Sequence, residues 1–266
     1  MVAARGPAAT PVRHNGRVPR TMVVANQKGG VAKTTTVATL GAALTELGQR
    51  VLLVDLDPQA CLTFSVGIDP EDLDRSMHDV LLGGVKARDV LVDFEDGPDL
   101  LPATIELATA EVRLAQDSGP EQVLRTALRP LRSSYDWIIV DCPPTLGLLT
   151  VNGLSAASDV LIPLQCETLA HRGVGQLLDT IHDVQRLTNP DLHVLGVLPT
   201  LYDGRTTHAR AVLETIADTY SLHVLQPAIP KSIRFAEAPA IGETVLRTAP
   251  ASPGAKAYRA LAGALL

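Results

Sequence analysis

The sequence predicts an α/β fold: a single doubly wound, mostly parallel sheet flanked by helices. Three observations lead there. Short Val/Ile/Leu runs alternate with longer stretches of helical periodicity over most of the chain. The runs are apolar throughout rather than alternating, as strands covered on both faces require. Several of them end in a carboxylate or a glycine turn, the position at which open parallel sheets hold ligands.

In chain order, the first strand is read at 22–26, followed by a glycine-containing turn and a helix near 34–47. The second strand, 51–55, ends on Asp55. Residues 67–119 are the least regular and predict short helices with one extra strand at Asp99-Leu100-Leu101. A helix near 120–132 leads to a strand at 136–141, which ends on Asp141. Then follow helix 146–156, strand 158–164, helix 171–187, strand 193–199, helix 206–220 and strand 223–227. Two helices near 232–238 and 254–265 finish the chain. No internal repeat or Gly/Ser linker interrupts the order, so residues 21–266 read as one domain.

Composition narrows the function. Apolar residues make up 46% of the 266, ample for a core, and aromatics only 3%, so aliphatic side chains supply the packing. The net charge of −6 argues against coating nucleic acid by bulk charge, so any DNA contact must be a local patch. Cys61, Cys142 and Cys166 are widely spaced with no CxxC pair, which reads as reduced thiols of a cytoplasmic protein. No long uncharged apolar run predicts a membrane span. Residues 1–20 contain Arg5, Arg13, Arg17 and Arg20, three prolines and no acid. Their composition favours a disordered tail; the alternative is a basic arm touching DNA or acidic headgroups.

The most chemically specific string is Asn26-Gln27-Lys28-Gly29-Gly30-Val31-Ala32-Lys33-Thr34-Thr35. Strand, glycine turn, lysine, hydroxyl and helix are the order a phosphate-binding loop needs. Turn N–H groups and the helix dipole face the anion, Lys33 reaches the outer phosphates and the Thr34 hydroxyl ligates Mg²⁺. The common G-x-x-x-x-G-K-[ST] pattern fails at both glycines, where Gln27 and Ala32 stand. A second lysine, Lys28, precedes the glycines instead. Two further strands deliver carboxylates: Val51–Asp55 continues into Asp57-Pro58-Gln59, and Trp137–Val140 ends on Asp141, placed to hold Mg²⁺ through water. Cys142 reads as a buried small hydrophobe.

The string K-G-G-x-x-K-T resembles the deviant Walker A motif of the ParA/MinD family of P-loop ATPases. The resemblance implies ATP and Mg²⁺ as cofactors, with Lys28, Gly29, Gly30, Val31, Ala32, Lys33, Thr34 and Thr35 around the phosphates. It implies that Lys28 crosses to the nucleotide of a second copy in an ATP-sandwich homodimer. D-x-D-P-Q is similar to the family's Walker A′ motif, which makes Asp57 the residue that orients or activates the attacking water and puts Asp55 near the Mg²⁺ shell with Thr34 and Asp141. Lys28, Lys33 and Asp57 are then the catalytic set. Gln165 and Glu167 match a P-x-Q-x-E string near the family's dimer interface, against the alternative of a solvated loop.

Two later segments, Leu201–Thr206 and Ile229–Pro239, closely resemble chromosomal ParA/Soj proteins. By that resemblance Arg205 and Arg234 contact DNA without sequence preference. Lys231 stands where the family has arginine, keeping the charge but losing the bidentate fork. The backbone at Ile229 and Pro230 is expected to meet the adenine. Ala32 departs from the family's glycine; its methyl group is compatible with helix entry but not with positive φ.

The implied function is a slow, partner-stimulated ATPase switch, cytoplasmic and nucleoid-associated. Its dimer grips nonspecific double-stranded DNA and lets go on hydrolysis, with a ParB-like partner, in chromosome or plasmid partitioning or related positioning. The alternatives are a membrane-cycling ATPase similar to MinD and a ParA paralogue working through a protein partner. The final stretch Tyr258–Leu266, with one cation and small residues, reads as a core helix rather than a membrane anchor. An iron–sulfur reductase is disfavoured, since no cysteine sits in a stretch resembling its cluster sites.

Overall fold

The six strands of the sheet all run parallel. They are β1 (Arg20–Val24), β2 (Val51–Asp55), β3 (Asp99–Leu101), β4 (Trp137–Asp141), β5 (Asp159–Gln165) and β6 (His193–Thr200), in the order β3-β2-β4-β1-β5-β6. This computed structural model describes residues 19–116, 118–167 and 170–266. The helices are α1 (Lys33–Glu46), α2 (Cys61–Ser65), α3 (Met77–Leu81), α4 (Leu107–Leu114), α5 (Val123–Leu128) and α6 (Leu148–Ala156). After them come α7 (Ala170–Leu187), α8 (Thr207–Tyr220), α9 (Arg234–Glu237), α10 (Val245–Thr248) and α11 (Pro253–Leu265).

The apolar strands split by their two-residue period into two cores. Val23, Leu52, Val54, Ile138 and Val140 pack with side chains of α4, α5, α6 and α7. Met22, Val24, Leu53 and Ile139 pack with α1 and α11 on the other face. Burying Tyr258, Leu261 and Leu265 there stabilises the fold by about 1.5–3 kcal/mol for each large apolar side chain. That makes α11 a core helix, as its composition suggested. No helix among the described residues is long and apolar enough to cross a membrane.

Two expectations change. Residues 223–227 form no strand: a single parallel bridge joins Val224 to Val197. The Leu225 N–H donates to Val197 O, and Pro227, which has no N–H to give, interrupts the ladder until the Ile229 N–H meets Pro199 O. Arg20, assigned to the tail, instead heads β1. Its guanidinium pairs with Asp159 at 3.1 Å and lies 4.6 Å from the Trp137 ring centroid. Arg5, Arg13 and Arg17 lie outside the described residues.

Candidate functional site

Strand β1 lies between β4 and β5, so the strand order reverses beside it, and the crevice at its carboxyl end is where such sheets bind ligands. The loop from β1 to α1 fills this crevice. Gly30 takes φ +73°, and a methyl group built at Gly29 or Gly30 would meet no atom within 4 Å, leaving an open cradle. The loop is tied at both sides. Asn26 Nδ2 donates to Pro163 O at 2.7 Å, while its Oδ1 accepts the Lys28 N–H at 3.0 Å. Thr200 Oγ1, at the end of β6, donates to Val31 O at 2.9 Å.

Just after the Val31 tie, Ala32 is left-handed, with φ 65° and ψ 34°, overturning the expectation that its methyl group excludes positive φ. The chain must turn from the pinned Val31 into α1, whose Thr36 N–H already bonds Ala32 O at 2.9 Å. The surrounding bonds hold a conformation that costs an alanine about 1–2 kcal/mol.

Lys33 is buried, and its Nζ donates to Lys28 O at 3.0 Å. Burial lowers its pKa, and the attraction of Asp141 opposes that shift. Thr34 Oγ1 donates to Asp141 Oδ2 at 2.6 Å. Asp141 Oδ1 is buried with no hydrogen-bond partner among the described residues. Burial, then repulsion from Asp55, push the Asp141 carboxyl well above the usual range. An orphaned carboxylate oxygen beside a threonine hydroxyl fits a hydrated hard cation such as Mg²⁺.

Asp55 is differently committed. Its Oδ1 accepts the Asp57 N–H at 3.0 Å, and its Oδ2 accepts the Thr63 N–H and hydroxyl at 2.9 and 2.8 Å. Burial pushes it up to about 6. Asp57 is 8% exposed and accepts the Gln59 N–H at 3.0 Å.

Lys28 is folded back onto its own chain. Its Nζ lies 2.5 Å from Glu167 Oε2 and 3.5 Å from Gln165 Oε1, just past the end of β5. The later segments run side by side, because Tyr202 bridges Pro230 and the Tyr202 N–H donates to Ile229 O at 2.9 Å. Ile229 is buried and its N–H is spent on Pro199 O, so this residue has no free donor for a base. The same bridge brings the loop of Arg205 beside that of Lys231 and Arg234, all three exposed. Arg205 pairs with Asp203 and Arg234 with Glu237, each at 2.9 Å.

Residues 19–194 match a family model described as an AAA domain. The chromosome-partitioning ATPase Soj of Thermus thermophilus is 46% identical over 91% of this chain and 94% of its own length. The sporulation initiation inhibitor protein Soj of Bacillus subtilis is 42% identical over 91% and 96%. The chain belongs to the Soj/ParA family. A solved Mycobacterium smegmatis structure, called cobyrinic acid a,c-diamide synthase and bound to ADP and magnesium, is 58% identical with TM-score 0.83, covering 93% of this chain and 94% of its own. This Soj/ParA-family protein is thus a P-loop ATPase that uses ATP and Mg²⁺.

Sequence reasoning assigned no role to three residues that shape the ATPase site. Asn26 and Thr200 tie the loop to β5 and β6, and Thr63 holds Asp55 while accepting the Ala103 N–H at 3.0 Å. All three are buried polar groups. Asn26 and Thr200 stand at the carboxyl ends of strand-like runs, which was the one available signal.

Proposed function

We propose that this chain is an ATP-dependent switch whose homodimer binds duplex DNA and releases it on hydrolysis. Its setting is the nucleoid, in chromosome or plasmid partitioning or a related positioning task, with a ParB-like partner. The observation that carries the reading is the second lysine: Lys33 serves the cradle from inside, while Lys28 points away from it to the half-exposed Glu167. A cation so placed is available to the nucleotide of another copy.

Thr34 and Asp141 would hold the Mg²⁺, with Asp55 fixing the adjacent loop and adding negative charge. The ion would neutralise charge on the phosphate oxygens during transfer. Lys33 stabilises the outer phosphates, and Asp57, held at the lip by the Gln59 N–H, orients the attacking water. Lys28 leaves Glu167 to complete the partner's site. Arg205, Lys231 and Arg234 grip DNA from the paired loops. Three cations from each of two copies give about six phosphate contacts and a log–log salt slope of about −5.4. The binding is then reversible and suited to a nucleotide-gated grip.

The test is binding to random-sequence duplex DNA with ATP, ADP or no nucleotide, at two salt concentrations, beside Arg234→Glu. ATP-dependent, salt-sensitive binding lost in Arg234→Glu is expected. No binding by a protein that dimerises with ATP would sink the DNA reading and favour a paralogue acting through protein partners.

The name of the Mycobacterium smegmatis structure raises a second reading, ATP-driven amidation. Drawing ammonia from glutamine calls for an activated thiolate. Burial raises the pKa of all three thiols here, Cys166 to about 11. Amide formation from cobyrinic acid and glutamine would revive that reading.

A further inference from the structure

We propose that Glu111 is a positioning residue for ATP hydrolysis: from α4 its carboxylate holds the start of α6, and so sets the loop that runs on from Asp141. The proposal rests on the ATPase activity and not on the DNA or homodimer readings.

Helix α6 begins without a cap of its own. Gly147 stands at its N-cap with no side chain to offer, and its first turn holds no acid. The opening N–H groups and the positive end of the helix dipole need an acceptor from elsewhere. Glu111 supplies it across 38 positions, its Oε1 accepting the Leu149 N–H at 3.3 Å. The approach is so close that a methyl group added at Gly147 would fall on the same oxygen. Glycine is needed there for space, since its φ of −78° suits any residue. Glu111 is half-buried and stands in no ion pair among the described residues, so its carboxylate is committed to this contact alone.

The position of α6 is carried to the end of β4 in three ways. Thr150 Oγ1 donates to Thr145 O at 2.6 Å, tying the loop to the first turn. Gly153 packs so tightly on Cys142, the residue after Asp141, that an added methyl carbon would lie 3.0 Å from its Sγ. Pro143 and Pro144 fix φ inside the loop, so a shift at one end is passed on rather than absorbed.

The loop leaves the carboxyl end of β4, next to β1 and its crevice. Its Thr145, Leu146 and Gly147 N–H groups have no hydrogen-bond partner among the described residues. Donors of this kind stabilise charge developing on phosphoryl oxygens, and their effect depends on fine placement. The phosphate cradle is tied elsewhere, to β5 through Asn26 and to β6 through Thr200. Loss of the Glu111 contact should therefore slow hydrolysis while ATP still binds.

The test is steady-state hydrolysis over a range of ATP at saturating Mg²⁺ by Glu111→Ala, Glu111→Gln, Gly147→Ala and the double variant Glu111→Ala/Gly147→Ala. Each is checked for a retained melting transition, for ATP affinity by calorimetry and for assembly state by sedimentation with ATP. Glu111→Ala should lower kcat about tenfold, with KM for ATP and the calorimetric affinity within about twofold of the unaltered chain and the assembly state the same. Glu111→Gln, whose amide oxygen still accepts the Leu149 N–H, should recover most of the rate. Gly147→Ala should slow hydrolysis as Glu111→Ala does, by displacing the carboxylate, and the double variant should be no slower than the slower single one. Should Glu111→Ala fail to fold, Gly147→Ala reads the same contact.

Unchanged kcat in folded Glu111→Ala overturns the proposal. So does a loss of affinity in place of rate, a changed assembly state, or Glu111→Gln as slow as Glu111→Ala. Losses that multiply in the double variant overturn it too, because the two residues would then not act through one contact. The expected pattern in a chain that never binds DNA keeps the positioning role while the DNA reading alone falls.

Discussion

Replacing Glu167 by Gln tests whether Lys28 is restrained on its own chain. The pair is open to water, with the side chains 33% and 54% exposed, so its contribution falls in the range of about 0.2–1 kcal/mol for exposed ion pairs. Gln165, at 3.5 Å, adds a weak contact that the substitution leaves in place. In the proposed dimer, two such pairs would have to be released before both Lys28 side chains cross. Removing them should favour dimerisation by about 0.4–2 kcal/mol, a dissociation constant roughly two- to thirtyfold tighter.

The assay is sedimentation equilibrium with ATP, with Asp57→Ala in both proteins so that hydrolysis does not drain the dimer. The gain should shrink as salt rises, because the restraint is an exposed electrostatic contact. Lys28→Ala should abolish the dimer whatever stands at 167. An unchanged or weaker dimer in a folded Glu167→Gln protein would refute the restraint and assign Glu167 to the dimer contact itself.

Lys33→Ala should abolish nucleotide binding in calorimetry, because the cradle loses its one buried cation. Asp57→Ala should bind ATP and accumulate as dimer; normal hydrolysis by it would remove the water-orienting role. Ala32→Gly should leave stability equal or higher by up to about 1.5 kcal/mol: relief of about 1–2 kcal/mol at positive φ, less about 0.5–1 for glycine's extra unfolded freedom, so a clear drop in denaturation midpoint would contradict the strain.

Without metal, Asp55 makes the folded chain less stable as pH rises, since its carboxyl holds a proton up to about 6 when folded against 3.8 ordinarily. The benefit of this group is complete below the lower value and is lost as pH rises through the upper one. Urea denaturation in chelator should show that slope flattened in Asp55→Asn, and an equal slope in both would refute the assignment.

Much of this protein is written locally. A strand, a glycine turn, a lysine–threonine pair and a helix are contiguous between residues 20 and 46, and apolar runs ending in Asp55 and Asp141 are legible because each strand carries its own burial pattern. The two lysines, 28 and 33, point to the family for the same reason: spacing within one loop is a property of the chain itself.

What the sequence left open depends on contacts across the sheet. The strand order sets Asp55 directly opposite Asp141 in the β2–β4 register, and so turns two ordinary strand ends into one buried, mutually repelling site. Lys28 meets Glu167 across 139 positions, and Thr34 meets Asp141 across 107. Ala32 was misjudged because its φ is fixed by anchors on β5 and β6, through Asn26 to Pro163 and Thr200 to Val31, rather than by its own side chain. Residues 223–227 have a strand's composition, but a proline interrupts their pairing after one bridge. Local propensity determined the elements and the chemical groups they carry; only the packed sheet decided which of those groups face one another, because charge coupling and loop geometry depend on distance in space rather than along the chain.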